Sequence, residues 1–446
     1  MVDTTLQSTE TVSLAFLLVC LCLAFVTGRL ARRRPGFDIR APVAVGVAVR
    51  LVAIAAINAT GIGTQLRGGD ETTFLDFAGE LAKTPWGRGF IPHGIDQLQT
   101  VVFAFELKAG DFSTTAIRIG QVGIAMLGIV FVAAAVCDLC NARAARRFAW
   151  LIAFEPASIF FSSEIHKESL MFLASGLVVF GASKIWRRLD LIGGGIPAAL
   201  GCLIAIETRG YAGWFLLIAT VAVVAHAALR QLDRPGVAMP VVYTIVIAAF
   251  LLAPTLMRLT DDQSLQKVQA AQAYTTGGQT ASNTGGAGQD NLALEQVDFS
   301  TRSDVIANLP LRMVDLAVRP FPWQLEDASQ ELGAIGTMLT VGGAMLLLAW
   351  AWRVRWRALE LAPILYPMLM LWVAYSLSAG NAGTGFRYRT HVVMLGAATL
   401  AIVREHVLMQ AENRAAATVS ARPGWYGAGS PRRGPVFGAA RRTEST

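Results

Sequence analysis

The chain has 446 residues, 54% of them hydrophobic and 15% charged, with a mean hydropathy of +0.49. A soluble domain carries about a quarter charged residues, which excludes a water-soluble globular class. A net charge of +7 and a pI of about 9.4 would raise nucleic acid as a partner in a soluble protein. Here most Lys and Arg lie in short loops between apolar blocks and in the tail, so they read as a topology signal and no nucleic-acid partner is expected.

The apolar residues come in blocks of about 20, the length that crosses a roughly 30 Å hydrocarbon layer at about 1.5 Å per residue. Without water to satisfy the backbone, each block should be a helix. The first, 12–30, is too long for a signal-peptide core, has an acidic flank and lacks a clean small-residue cleavage site, so it reads as a retained helix. In chain order the predicted spans are 12–30, 42–61, 116–137, 148–163, 167–185, 191–207, 211–229, 239–257, 333–352, 360–379 and 391–408. This is an all-α polytopic membrane fold of about eleven spans over residues 1–410. Cys20, Cys22, Cys137, Cys140 and Cys202 fall in or beside these blocks, and no disulfide framework is predicted.

Alternate connections are basic. Arg32, Arg33, Arg34 and Arg40 follow the first span; Arg143, Arg146 and Arg147 the third; Lys184, Arg187 and Arg188 the fifth; Arg230 and Arg234 the seventh; Arg353, Arg355 and Arg357 the ninth. The end of the eleventh and the tail after it carry seven more arginines, from Arg404 to Arg442. With eleven alternating spans all of these share one face, which the positive-inside rule makes cytoplasmic. The N-terminus then lies outside a bacterial plasma membrane and the C-terminus inside. The basic tail 411–446 reads as disordered.

The long connections, 61–115 and 258–332, fall on the outer face. Thr275 to Asn291 is a Gly, Thr, Ser and Gln stretch that reads as a mobile loop. In the first connection, Asp70 is placed to cap a helix beginning at Glu71, with Phe74, Phe77, Ala78 and Leu81 as an interfacial apolar stripe. The pair is either a capping Asp beside a solvated Glu, or a functional pair. In the second case it would deprotonate an acceptor hydroxyl or hold a divalent cation such as Mg²⁺ or Mn²⁺.

Ser162 to Glu168 crowds Glu164, His166, Lys167 and Glu168 between the fourth and fifth spans. Ser163 reads as an N-cap, with Glu164 and Glu168 on one helical face. This is either an interfacial ion pair or, with Lys at a helix start, a phosphate site. Arg209, Arg319, Arg387 and Arg389 also fall on the outer face, where arginine is disfavoured. They either anchor helix ends or bind an anion, for which a lipid phosphate is the natural candidate. Arg50 and Glu155 lie within spans. Arg50 is expected to snorkel towards the cytoplasm, whereas Glu155 has no such escape.

The Asp70-Glu71 pair with Ala78, then Gly110 and Arg118, and Pro156 to Ser162 ahead of Lys167-Glu168, resemble the GT-C superfamily of lipid-phosphate-sugar glycosyltransferases. Phe74 stands where members often carry Tyr, and the N-terminal span is additional. The resemblance implies sugar transfer from a polyprenyl-phosphate donor to a glycan, lipid or protein acceptor. Asp70 would be the base or metal ligand, supported by Glu71. Lys167, Arg209, Arg387 and Arg389 would hold the donor phosphate. Two alternatives stand beside it: a polysaccharide polymerase or ligase, in which His166 or His391 would matter more, and a transporter or flippase depending on Glu155.

Overall fold

The computed structural model describes residues 9–60, 70–83, 97–232, 235–256, 301–321, 323, 325, 328–354, 360–379 and 382–420. Every regular element among the described residues is helical. The helices are α1 (Thr9–Arg32), α2 (Arg40–Thr60), α3 (Asp70–Lys83), α4 (Gln97–Ala109), α5 (Thr114–Leu139), α6 (Ala142–Ala153), α7 (Pro156–Ser162), α8 (Glu168–Arg188), α9 (Gly195–Thr208), α10 (Gly210–Gln231), α11 (Pro235–Leu256), α12 (Arg302–Val318), α13 (Ala328–Val354), α14 (Ala362–Ser378) and α15 (Ala382–Ser420). Seven are long and apolar enough to cross a membrane: α1, α2, α5, α8, α10, α13 and α15. α9, α11 and α14 include shorter apolar stretches. The protein is a membrane-embedded helical bundle, and each predicted span falls on helix.

α8 is the axis of the bundle: 89% of its apolar window is buried, against 11% for α1. It packs on α5, α9, α10 and α14. Apolar surface gains little by leaving lipid, so contact depends on close backbone approach. Gly128 of α5 and Gly176 of α8 meet face to face, and a methyl group on either would overlap the other helix's backbone. Gly201 of α9 approaches Ala174 and Val178 of α8 in the same way.

Four features depart from the sequence expectation. The fourth span is not continuous but breaks into α6 and α7. Pro156 has no N–H to offer the preceding turn and suits the first position of a new helix, while the Glu155 carboxylate caps that helix by accepting from the Ala157 and Ser158 amides. Arg50 does not snorkel. It is fully buried, donating to Ser162 Oγ (2.8 Å), Ser158 Oγ (3.1 Å) and the Gly46 carbonyl (3.0 Å). Ser163 is not an N-cap. It closes α7, and its hydroxyl donates to the carbonyls of Ile159 (2.7 Å) and Arg50 (3.3 Å). Glu164 therefore sits in the turn ahead of α8 rather than on its face with Glu168.

α4 and α12 were not predicted. α12 begins with a capping box between Thr301 and Asp304, a signal readable in Thr-Arg-Ser-Asp. α15 continues past the predicted end at 408 to Ser420, because Gln410 to Ala417 is rich in helix-forming residues and Glu412 pairs with Arg143 at 3.4 Å. The Thr275–Asn291 stretch and residues 421–446 lie outside the described residues.

Among the described residues, the connections after α1 and α5 and the end of α8 bring Arg34, Arg143, Arg147 and Arg187 to one end of the bundle. Arg34 forks onto Asp138 at 2.8 and 2.5 Å, and Arg187 lies 3.9 Å from the same carboxylate. Glu405 accepts from Asn141 (3.0 Å) and pairs with Arg147 and Arg143. The Asp138 contacts tie the ends of α1 and α8 to α5, and the Glu405 contacts tie the start of α6 to α15. α3 and α4 cover the other end. There Phe74, Ala78 and Ala82 pack with Phe103, Leu107, Ile117 and Ile165, and Phe74 meets Phe103 edge-on at 6.1 Å.

Candidate functional site

The covered end holds a cluster of ionisable side chains drawn from five places in the chain. Its centre is Glu168 at the start of α8, which is fully buried. One carboxylate oxygen accepts from Arg209, in the sharp joint between α9 and α10, and lies 3.2 Å from Nε of Arg387 on α15. His391, one helical turn after Arg387, reaches the Glu168 carbonyl with Nε2 (3.3 Å) and the Tyr375 hydroxyl with Nδ1 (3.1 Å). Nδ1 also lies 3.2 Å from the Tyr388 carbonyl. The Arg209 guanidinium lies 4.2 Å over the Tyr388 ring and 5.9 Å from that of Tyr375. Arg209 is thus held by a carboxylate at one side and aromatic faces at another.

A second group adjoins it through the turn between α7 and α8. Arg118 of α5 donates to Glu71 of α3 at 2.7 Å and lies 3.7 Å from Glu164. Lys167 stands 5.1 Å over the Phe74 ring. Phe74 is one helical turn beyond Asp70, so the acidic motif and the Lys167 motif share one end of the bundle. α3 begins at Asp70 itself, one residue before the start at Glu71 that a capping Asp70 implied, and the Asp70 side chain lies outside the described ones. His166 is buried in the same turn.

The cluster is richer in donors than its ion pairs use. Among the described residues, Nε and Nη1 of Arg118 and Nη1 of Arg209 are buried with no hydrogen-bond partner. Buried donors of this kind carry a desolvation cost that an anion would remove. Metal fits less well. Arg118 fills the position between Glu71 and Glu164 that a divalent cation would take, and among the described residues no three His, Cys, Asp or Glu gather to hold one.

Arg389 and Arg319 lie apart from this cluster. Two residues along a helix turn the side chain by about 200°, so Arg389 points away from Arg387. It donates to the carbonyls of Arg319 (2.8 Å) and Ala317 (3.3 Å) and to Thr337 Oγ1, fastening the end of α12 to α13 and α15. Arg319 ends α12, 3.4 Å from Asp315, over the Phe321 ring. Glu155 finds its partners in the amides of Ala157 and Ser158, which its sequence position left unnamed.

Three contributors escape a linear reading. Tyr375 and Tyr388 look like ordinary span aromatics, and Glu106 of α4 like loop charge. Burial pushes the Glu106 carboxyl up to about 8, against the opposing effect of a hydrogen bond from Gln121 (2.8 Å). No family model, curated protein or solved structure matches this chain, so the site rests on its own residues.

Proposed function

We propose that the chain is a membrane glycosyltransferase of the GT-C type, with eleven spans and its N-terminus outside. It moves a sugar from a polyprenyl-phosphate donor to an acceptor hydroxyl on the non-cytoplasmic face. The observation that carries the reading is the adjacency of the acidic helix α3 to a buried cation cluster with spare donors. Glu71 is bound to Arg118, Phe74 lies under Lys167, and Arg118 and Arg209 keep unused N–H groups.

In this reading Asp70 takes the proton from the acceptor O–H as that oxygen attacks the anomeric carbon. The carbon–oxygen bond to the lipid phosphate breaks, and its electron pair leaves with the phosphate. Arg118, Lys167 and Arg209 stabilise the charge that develops there. Glu71 orients Arg118. Glu168 holds Arg209 and Arg387, keeping them placed before the donor arrives. Arg389 fastens the frame instead of touching phosphate. No step is routed through a metal.

Purified protein in proteoliposomes, offered a panel of polyprenyl-phosphate sugars, should release sugar from one of them. Asp70→Asn should lower that rate by at least about a hundredfold with unchanged expression and thermal unfolding. Undiminished transfer in this variant would remove the carboxylate from the chemistry. The break between α6 and α7, with Arg50 buried and Glu155 half-buried at it, is also a feature of transporters. If substrate flux across the membrane persists in Asp70→Asn and is lost in Glu155→Gln, transport replaces transfer.

A further inference from the structure

The basic end holds a second site with a different chemistry. α1 and α2 are consecutive, and both pack on α5, yet they scarcely touch each other. The wedge between them narrows to a cavity of about 370 Å³ under the connecting corner, lined by Thr27, Gly28, Ala31, Arg32, Phe37 and Asp38 with Ile39 and Arg40. A side chain at Gly28 would meet open space, so one wall is bare helix backbone. Phe37 and Ile39 are buried and form an apolar floor.

The rim is cationic. Arg32 and Arg40 line the cavity, and Arg146 reaches it from α6, donating from Nε to the Asp38 carbonyl at 3.1 Å. The single opposing charge is the Asp38 carboxylate, which accepts from the Arg40 side chain at 3.0 Å. Three guanidinium groups against one carboxylate leave an excess of two positive charges. Beyond the rim the wedge opens onto apolar helix surface, with Leu18, Leu21 and Phe25 of α1 and Val52 of α2 all exposed.

A ligand for this place needs an anionic head at the interface and apolar tails alongside the spans. A free anion would leave the apolar floor and wedge uncovered, and a polypeptide would have to lie within the bilayer. We propose that the wedge binds an anionic phospholipid, its phosphate between Arg32 and Arg40 and its acyl chains between α1 and α2. Lipid here would fill the gap that the two helices leave, coupling the exposed α1 to the bundle.

The test uses the full chain in nanodiscs of phosphatidylcholine containing phosphatidylglycerol, with retained lipid read by native mass spectrometry after release. Wild type should retain phosphatidylglycerol over phosphatidylcholine. Arg32→Gln with Arg40→Gln should weaken that retention about tenfold. Gly28→Leu, which fills the wedge and keeps both charges, should weaken it as well. Equal retention in wild type and either variant would overturn the site. Displacement of the lipid by about 10 mM inorganic phosphate would show a simple anion site and overturn the lipid assignment.

Discussion

At both ends of the bundle a buried carboxylate serves two arginines, but the surroundings of those arginines differ. Glu405, at the basic end, pairs with Arg147 and Arg143, which are 27% and 57% exposed. Glu168, at the other end, pairs with Arg209 and Arg387, which are 4% and 14% exposed. The first arrangement fastens helix ends where water can still solvate the cations, and topology alone explains its charges. The second encloses cations and carboxylates together, where an apolar core would be at least as stable. Charge retained under that penalty is the ground on which a functional site is proposed at this end.

The comparison is most exposed to the loss of the shared carboxylate. Glu168→Gln leaves two enclosed guanidinium groups without a counter-charge and should destabilise the protein by about 3–5 kcal/mol, read by thermal unfolding in detergent. Glu405→Gln should cost clearly less, because Arg143 and Arg147 can rehydrate. Equal losses would mean that the two ends do the same job.

Arg118→Leu comes next. It leaves Glu71 and Glu164 near each other without a cation and should cost about 2–3 kcal/mol. It should also reduce sugar transfer by a hundredfold or more, while Arg118→Lys restores part of both. A variant that lost stability and kept full transfer would make Arg118 a fastening residue like those at the basic end.

Glu106 gives a smaller effect with a definite sign. Its folded pKa of about 8 lies above the ordinary 4.5, so the fold holds a proton that the unfolded chain has released. That contribution is present below about pH 4.5, declines as pH rises towards 8 and levels above it. The melting temperature of wild type should therefore fall between pH 5 and pH 8 more than that of Glu106→Gln. Parallel curves would show that the carboxyl is not enclosed as described. The least effect should come from Arg143→Ala, below about 1 kcal/mol, as expected for a solvated ion pair.

The covered end was only partly legible in the linear chain. Asp70, Glu71, Lys167, Glu168, Arg209 and Arg387 are conspicuous because charge is rare beside apolar blocks. Arg118 entered through resemblance alone. Its pairing with Glu71 and Glu164 spans 47 and 46 residues, and no local pattern encodes it. Tyr375 and Tyr388 carry no signal at all until Arg209 is seen above them.

The sequence by itself determined the membrane class and where the apolar helices lie along the chain. Each follows from transfer of about 20 residues at a time into lipid, and that depends on composition within a short window. Tertiary structure alone decided which charges meet and which helices break. Glu155 looked like an unpartnered charge in a continuous helix, yet its carboxylate caps the helix that Pro156 begins. Arg50 looked free to reach the interface, yet Ser158 and Ser162 hold it inside. A buried charge is stable only beside a specific partner, and that partner is brought close by packing, not by neighbourhood in the chain.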